Sequence, residues 1–206
     1  MSFRVERVTP QDALFRDYLG VRYQVYCLER GFEDPAQYPD GIETDIYDPH
    51  AVHLAAVEEQ TGQVVGSARI ILDSPLGFPL EQHFKLDATL DHVDRKELCE
   101  ISRLAVTKSH CQDFGIVSLL LDHLFLESGR LGLTHWYAAM AKSLAVLLRR
   151  RKMHFQEAGP EMVYHGIRIP YILDLQRMAG NSSHFACYEQ DFAETAHFAP
   201  LKTARA

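Results

Sequence analysis

The apolar spacing along the chain predicts alternating helices and strands. Over residues 10–29, five apolar side chains recur at helical intervals and indicate a helix that is interrupted near Gly20. These side chains are Leu14, Tyr18, Val21, Val25 and Leu28. The segment that follows contains Pro35, Pro39 and Gly41, so we expect it to be irregular.

Later in the chain, the pattern alternates between the strand period and the helix period. Two apolar runs on either side of Thr61 and Gly62 predict a β-hairpin over residues 51–72. The remaining predicted elements are a short helix within 75–84, a strand at 98–106, a helix from 114 that closes at Gly129 or Gly132, a strand at 134–140, a helix at 142–153 and two short strands within 161–175. This order predicts a single α/β domain over residues 1–206, with a mixed central sheet flanked by helices on both faces.

Composition and charge exclude several classes of protein. The net charge of −7 disfavours the phosphate-led binding of nucleic acids. No apolar run is long enough to span a bilayer, and the first residues lack the apolar core of a signal peptide. We therefore expect a cytoplasmic protein with no transmembrane segment and no nucleic-acid partner.

The cysteines and histidines form neither a disulfide framework nor a metal motif. Cys27, Cys99, Cys111 and Cys187 are scattered without a C-x-x-C pair, and free thiols are their simplest interpretation in a reducing cytosol. His50 and His53 are three positions apart where a loop becomes a strand, so their side chains should face opposite sides. We expect no metal site.

Charged residues interrupt two strands that are otherwise apolar. Arg69 lies within the second hairpin strand, and Glu100 and Arg103 lie within the strand at 98–106. Burying an unpaired charge costs several kcal/mol, so these residues need partners or a functional cavity. The available partners are the carboxylates of the preceding loop, namely Glu43, Asp45 and Asp48. Two interpretations stay open: a salt-bridge network that only tethers this loop to the sheet, or a cleft that binds a polar substrate.

The spacing of Glu100 and Arg103 adds a geometric requirement. In a regular strand Glu100 and Ser102 share one face, whereas Arg103 points to the other. If all three serve one pocket, the strand must contain a β-bulge, which adds a residue and turns a side chain. The sequence therefore predicts a bulge in this strand.

A series of motifs in the first half of the chain resembles a known family. The series consists of Arg22-x-x-x-Tyr26, Phe32, Glu43-Thr-Asp45-Ile-Tyr-Asp48, Arg69, Phe84 and Glu100-Ile-Ser-Arg103. In this order and spacing, over about residues 20–110, it resembles the acyl-homoserine-lactone synthases, or autoinducer synthases. The resemblance implies the related acetyltransferase (GNAT) fold, an acyl carrier protein thioester as donor, a free amine as acceptor and no permanently bound cofactor.

Two aromatic positions depart from that family's pattern. Tyr26 and Phe32 stand where the family typically has Phe and Trp, in surroundings associated with S-adenosylmethionine and pantetheine. The surrounding run is more similar to the acyltransferases of exosortase and PEP-CTERM systems, which resemble the N-acyl amino acid synthases. The resemblance thus favours an amino acid or another small amine over S-adenosylmethionine as the acceptor.

The donor is indicated by a partial phosphate-binding loop. Related acetyltransferases that use coenzyme A carry a Gln/Arg-x-x-Gly-x-Gly/Ala loop before a helix. Gln112 and Gly115 match its first two positions, but Val117 replaces the second glycine. This departure favours acyl-phosphopantetheine on a carrier protein over acyl-CoA.

If the reaction is amide formation from a thioester, each residue of the motif series has a candidate role. Glu100 is the candidate general base, directly or through water, unless it only pairs with an arginine to close the core. Arg69 and Arg103 would bind an acceptor carboxylate or order the carboxylates. The substrate-binding set is Arg22, Tyr26, Phe32, Glu43, Asp45, Asp48, Phe84 and Ser102.

A basic run late in the chain is the candidate docking surface for an acidic carrier protein. It comprises Arg149, Arg150, Arg151 and Lys152 at the end of a predicted helix, where the alternative role is simple capping by cations. The resulting hypothesis is an N-acyltransferase that moves a fatty acyl group from a carrier protein to a small amine. The alternatives are an acyl-homoserine-lactone synthase, a non-catalytic acyl-binding or regulatory domain of the same fold, and a coenzyme A-dependent acetyltransferase.

Overall fold

The fold is built on one mixed β-sheet. A computed structural model describes residues 1–87, 93–111 and 114–180. The strands are β1 (Phe3–Val8), β2 (Ala51–Glu58), β3 (Val64–Leu72), β4 (Leu98–Val106), β5 (His135–Met140), β6 (Gln156–Glu157), β7 (Met162–Val163) and β8 (Ile167–Asp174). Their order is β1-β2-β3-β4-β5-β8-β6, and β7 pairs with β8. All pairs are antiparallel except β4 and β5, which run parallel.

Helices cover both faces of the sheet. They are α1 (Leu14–Tyr23), α2 (Pro79–His83), α3 (Phe114–Arg130), α4 (Lys142–Arg149) and α5 (Leu175–Gly180). On one face, Tyr18 and Leu19 of α1 join an apolar cluster with Ala55 and Val64. On the other face, α3 buries its apolar side chains against β1 to β4 in the largest cluster of the core. The predicted α/β fold with a mixed sheet and helices on both faces is confirmed.

Most predicted elements lie where the pattern indicated. The hairpin turns at Gly62, whose φ of 72° is the left-handed conformation that glycine adopts without strain. Helix α3 ends at Arg130 and is closed by Gly132, which also has a left-handed φ of 72°. Helix α4 is shorter than predicted because the chain turns at Lys152, which has a φ of 66°.

The N-terminal region differs from the prediction in two ways. Strand β1 is absent from the prediction: Phe3 and Val5 alternate with charged residues and pack against the core, but the run is short. The predicted break near Gly20 is wrong, since Gly20 lies inside α1. The change occurs later, where α1 passes into a π-helix over Gln24–Glu29.

Two irregularities of β4 shape the middle of the sheet. Ser67 of β3 pairs with Ala105, and Arg69 pairs with Ser102, so β4 has one extra residue in this interval. Arg103 lies in that bulge with a φ of 52°, and Ser67 Oγ donates a hydrogen bond of 2.8 Å to its carbonyl oxygen. The predicted bulge is confirmed. Further, β4 and β5 pair only as far as Glu100 and Tyr137.

No helix in the described part of the chain is long and apolar enough to cross a membrane. Cys27, Cys99 and Cys111 are free thiols, as predicted, whereas Cys187 lies outside the described residues.

Candidate active site

Three arginines and three carboxylates form a closed ring of ion pairs between α1, the loop before β2, and strands β3 and β4. We call this set the charged ring; it consists of Arg22, Glu43, Arg103, Asp45, Arg69 and Asp48, in the order in which they contact one another. Each carboxylate bridges two arginines, and each arginine bridges two carboxylates. The ring is electrically neutral, which is how three arginines can be buried together.

Arg22 forms the side of the ring that belongs to α1. Its Nε lies 2.6 Å from Glu43 Oε2, and its two terminal nitrogens contact both oxygens of Asp48 at 2.7 and 3.2 Å. The Arg22 side chain is completely buried, as is that of Glu43. These two residues therefore lie at the back of the ring, where they hold the loop against α1.

Arg69 is the member of the charged ring that comes from β3. Every nitrogen of its guanidinium group donates a hydrogen bond. Nη1 and Nη2 contact the two oxygens of Asp45 at 2.6 and 2.8 Å, and Nη1 also contacts Asp48 at 2.5 Å. Nε donates to Ser102 Oγ across the β3–β4 ladder at 2.9 Å. Because its side chain is only 1% exposed, Arg69 orders the carboxylates and has little capacity left for a ligand.

Arg103 closes the ring from the bulge of β4. Its Nη2 lies 2.7 Å from Glu43 Oε1 and 3.1 Å from Asp45 Oδ2. The guanidinium group also lies 5.0 Å above the ring centre of Tyr26, in a cation–π contact. The Arg103 side chain is 15% exposed and is thus the most accessible arginine of the ring.

The loop is shaped by the same carboxylates that bind the arginines. Asp45 Oδ1 accepts a hydrogen bond from the backbone N–H of Tyr47 at 2.9 Å, and Asp48 Oδ2 accepts one from the N–H of Asp45 at 2.8 Å. Short side chains that bond to nearby backbone favour such turns. His53 contacts the Asp48 carbonyl oxygen at 3.1 Å through Nε2, so the first residues of β2 brace the turn.

The arginines keep the ring's carboxylates ionised despite their burial. Burial by itself raises the pKa of Glu43, but hydrogen bonds and charge from Arg103 and then Arg22 outweigh it and lower the pKa. For Asp45 and Asp48, burial is likewise outweighed, mainly by Arg69 and Arg22 respectively, so both pKa values lie below their usual range. The ring is therefore charged at neutral pH.

A cleft opens beside the ring where β4 and β5 separate. Beyond Glu100 and Tyr137 the two strands continue to Val106 and Met140 without pairing, and both stretches line a cavity of about 610 Å³. Aromatic side chains form much of its wall, including those of Tyr26, Phe32, Tyr47, Phe84 and Tyr164. An apolar passage with a few polar groups suits an extended acyl chain on a thioester arm.

Glu100 is the carboxyl group in the wall of this cleft. It is 5% exposed, and its Oε2 accepts a hydrogen bond from the backbone N–H of Leu80 at 2.8 Å. Among the described residues it forms no salt bridge. Burial raises its pKa to about 8, against the opposing effects of Leu80 and of Arg69 and Arg103. A carboxyl group that titrates near neutral pH can exchange protons with a substrate.

The structure brings the predicted residues together in two layers. Those that line the cleft are Tyr26, Phe32, Asp45, Arg69, Phe84, Glu100, Ser102 and Arg103. Arg22, Glu43 and Asp48 lie behind them as members of the charged ring. Phe84 also belongs to an apolar core cluster, so it serves both packing and the cleft. The predicted ion pairs of Arg69 and Arg103 with the loop carboxylates are confirmed.

The basic run lies at another part of the cleft's edge. Arg149, Arg150, Arg151 and Lys152 are exposed at the end of α4. Arg151 donates to Ser118 Oγ and lies 4.4 Å above the ring centre of Phe114, which lines the cleft. The run is thus next to the cleft and not on a remote surface.

Several residues of the cleft had no signal in the sequence pattern. Tyr164 and His165 come from the turn between β7 and β8, where His165 contacts Phe32 at a ring distance of 5.3 Å and Glu33 at 3.8 Å. Tyr47 also lines the cleft. It lies between Asp45 and Asp48 in a loop, where no helix or strand period distinguishes a cleft residue from any other loop residue. Within the described chain, no group of three or more His, Cys, Asp or Glu side chains could hold a metal ion.

Comparison with known proteins finds relatives of the same fold. The acetyltransferase (GNAT) domain family matches residues 21–121. An acyl-homoserine-lactone synthase of Vibrio anguillarum is 25% identical over 171 residues, which cover 80% of this chain and 88% of that protein. The fold is that of the GNAT acetyltransferases, in its autoinducer synthase-like form.

Solved structures of two synthases have a similar fold. The coenzyme A-dependent acyl-homoserine lactone synthase BjaI has a TM-score of 0.69 at 16% identity, covering 93% of this chain and 90% of that one. The N-acyl amino acid synthase FeeM, from uncultured soil microbes, has a TM-score of 0.61 at 12% identity, covering 90% and 98%. The predicted resemblance to autoinducer synthase-like acyltransferases, which form an amide, is confirmed.

Proposed function

We propose that this protein is an N-acyltransferase that moves a fatty acyl group from an acyl carrier protein thioester to the amine of an amino acid or a similar small acceptor. The observation that carries the proposal is Glu100, a buried carboxyl without a salt bridge to the arginines near it, in the wall of an aromatic cleft. A carboxyl group that only closed the core would be expected to pair with Arg69 or Arg103, and both arginines pair with other residues.

In the proposed reaction, Glu100 receives the proton of the acceptor amine, directly or through one water. The amine nitrogen forms a bond to the thioester carbon, the carbon–sulfur bond breaks, and the pantetheine sulfur leaves as a thiolate. The thiolate takes the proton from Glu100, which restores the carboxylate and completes the thiol. A pKa of about 8 suits this transfer, because α-amino groups titrate at about 8 and the proton is then nearly balanced between the two groups. The chemistry needs no metal and no permanently bound cofactor.

The acceptor would be oriented by Arg103. Arg69 has all its guanidinium nitrogens engaged, whereas Arg103 is partly exposed, lines the cleft and has a terminal nitrogen outside its contacts with Glu43 and Asp45. We therefore assign Arg103 to the acceptor carboxylate and Arg69 to ordering the ring. Tyr26 and Phe32 would enclose the acceptor from the side of the π-helix, 6.1 Å apart between ring centres.

The carrier protein as donor is supported by the exposed basic run beside the cleft, since such carriers are acidic. Two solved relatives are named as coenzyme A-dependent, which keeps acyl-CoA as an alternative donor. Gln112, the first residue of the partial phosphate loop, lies outside the described residues.

The second candidate function is an acyl-homoserine-lactone synthase that uses S-adenosylmethionine. It is favoured by the Vibrio relative, which carries that name. The two functions share the donor half of the reaction and differ in the acceptor. They predict different products: an N-acyl amino acid with an open chain, or a homoserine lactone ring.

Mass spectrometry of the lipids of cells that express the protein tests the proposal. We expect N-acyl amino acids that are absent from cells expressing Glu100→Gln. An acylated lactone would establish the second function instead. If neither product differs between cells with the protein and cells without it, the proposed transfer is wrong. Purified protein supplied with matched acyl carrier protein and acyl-CoA donors then identifies the donor.

A further inference from the structure

Tyr47 has an unusual hydroxyl group. Its side chain is 7% exposed and lines the cleft, yet within the described part of the chain its Oη is the buried side-chain oxygen or nitrogen that lacks a hydrogen-bond partner. Tyr18, which is also buried, contacts the Ala68 carbonyl oxygen at 3.3 Å and His53 Nδ1 at 3.2 Å. A buried hydroxyl without a partner destabilises a folded protein, so its presence in a cleft wall calls for a ligand.

The backbone of Tyr47 is held firmly by the charged ring. Asp45 Oδ1 accepts the Tyr47 N–H at 2.9 Å, while the Tyr47 carbonyl oxygen accepts the N–H of His50 at 2.9 Å. The same Asp45 carboxylate binds Arg69 and Arg103. The ring therefore fixes Tyr47 relative to β4, which carries Glu100.

The surroundings of the aromatic side chain of Tyr47 are apolar. It packs in one cluster with Leu80, Phe84 and Tyr137. Burial, and then the nearby carboxyl group of Glu100, raise the pKa of Tyr47, so its hydroxyl keeps its proton and acts as a donor at neutral pH. An acceptor carboxylate would be unfavourable in this apolar wall beside Glu100, whereas the carbonyl oxygen of a thioester carries no full charge before attack.

We propose that the Tyr47 hydroxyl donates a hydrogen bond to the carbonyl oxygen of the acyl thioester. This inference rests on the proposed function. As the amine nitrogen bonds to the carbonyl carbon, the π electrons move to that oxygen, and the hydrogen bond from Tyr47 stabilises the negative charge while the proton stays on the tyrosine. The carbonyl then re-forms as the carbon–sulfur bond breaks. A donor aimed at a developing oxyanion strengthens in the transition state.

Tyr47→Phe removes the hydroxyl and keeps the ring. Because the lost contact acts mainly in the transition state, we expect kcat to fall by ~10²-fold while KM for both substrates changes little. The melting temperature of the free protein should stay equal or rise, since an unpartnered buried hydroxyl is lost. Tyr18→Phe is the matched control for stability, and it should lower the melting temperature because its hydroxyl has partners. Unchanged kcat in Tyr47→Phe would overturn the proposal.

Two further experiments identify the oxygen atom of the substrate that Tyr47 contacts. If Tyr47 instead bound the acceptor carboxylate, the loss in Tyr47→Phe would vanish with the decarboxylated amine, which has no oxygen at that position, and the thioester assignment would be overturned. Infrared spectroscopy of a bound acyl-pantetheine with a ¹³C-labelled thioester carbonyl requires no turnover. We expect the carbonyl band at a lower wavenumber in the wild type than in Tyr47→Phe, and identical bands would overturn the proposal. Absence of turnover in the wild type would refute the proposed function separately. The infrared experiment would still report whether Tyr47 bonds to the carbonyl oxygen, because it does not depend on turnover.

Discussion

Glu43 and Arg103 are 60 positions apart in the chain, yet Arg103 Nη2 lies 2.7 Å from Glu43 Oε1. The contact requires two departures from regular structure. The loop before β2 must turn Glu43 towards the sheet, and the bulge in β4 must turn Arg103 to the same side as Glu100. The charged ring thus ties the loop to the sheet, as a tether would, and at the same time builds the wall of the cleft. The two interpretations of the loop carboxylates describe one arrangement.

The closed ring makes a first prediction about stability. Glu43→Gln removes the carboxylate that bridges Arg22 and Arg103 and leaves positive charge uncompensated in a buried site. We expect a loss of about 3–5 kcal/mol in the free energy of unfolding, measured by denaturant titration at neutral pH. The cost should be accompanied by loss of activity, since Arg103 also lines the cleft.

The exposed pair of Arg95 with Glu81 is the matched control. The side chains in this pair are 48% and 27% exposed, so water already screens them. Arg95→Gln should therefore cost no more than about 1 kcal/mol. Equal losses in the two variants would show that the ring is no more than a surface network in energetic terms.

The charged ring also shows what the sequence could predict. Arg69, Glu100 and Arg103 stand out because a charge in an apolar strand needs a partner, and that argument correctly indicated the loop carboxylates and the bulge. The alternative interpretation of Glu100, in which it only pairs with an arginine in the core, is wrong. Its carboxylate accepts a hydrogen bond from the backbone N–H of Leu80 instead. The energy of pairing does not by itself determine which carboxylates bind the arginines. The distances that the fold sets between the side chains determine it.

Other features were beyond sequence reasoning for physical reasons. Strand β1 is a short edge strand in which only Phe3 and Val5 alternate with charged residues, so its strand period spans too few positions to stand out. The shift from α1 to a π-helix at Gln24 leaves the apolar spacing almost unchanged. The missing partner of the Tyr47 hydroxyl is a property of its surroundings, which come from distant segments of the chain.

A second prediction concerns the proposed base. Glu100→Gln keeps the size of the side chain and its ability to accept from Leu80 N–H, but cannot take a proton. We expect turnover to fall by ~10²–10⁴-fold with the fold intact by circular dichroism. Glu127→Gln provides a control, because Glu127 is a buried glutamate of α3 outside the cleft. Near-normal turnover of Glu100→Gln would assign proton transfer to water or to another group.

The pKa of Glu100 leads to a third prediction, on stability against pH. Its pKa is raised in the folded state to about 8 from an ordinary value of 4.5. The folded state therefore holds this proton more tightly than the unfolded state, and its stabilising contribution is complete below pH 4.5 and is lost as pH rises through 8. The loss should proceed at up to about 1.4 kcal/mol per pH unit.

Glu100→Gln isolates that contribution, because glutamine does not titrate. The difference in unfolding free energy between the variant and the wild type should shift in favour of the variant from pH 5 to pH 9. Parallel denaturant titrations of the two proteins across this range provide the measurement. A difference that stays constant with pH would mean that Glu100 titrates normally in the folded protein and is a poorer candidate for the base.

The last prediction concerns the basic run beside the cleft. Electrostatic steering acts mainly on association and weakens with salt, so a docking role for Arg149 and Arg150 should appear in KM and not in the chemical step. Reversing both to Glu should raise KM for an acyl carrier protein donor, most strongly at low salt, and should do little to an acyl-pantetheine donor that has no carrier to dock. The matched control reverses Arg4 and Lys96, which changes the net charge equally at positions outside the cleft lining. If the control raises KM as much, overall charge and not the basic run attracts the carrier; if both donors suffer equally, the run supports the structure of α4 and the docking surface lies elsewhere.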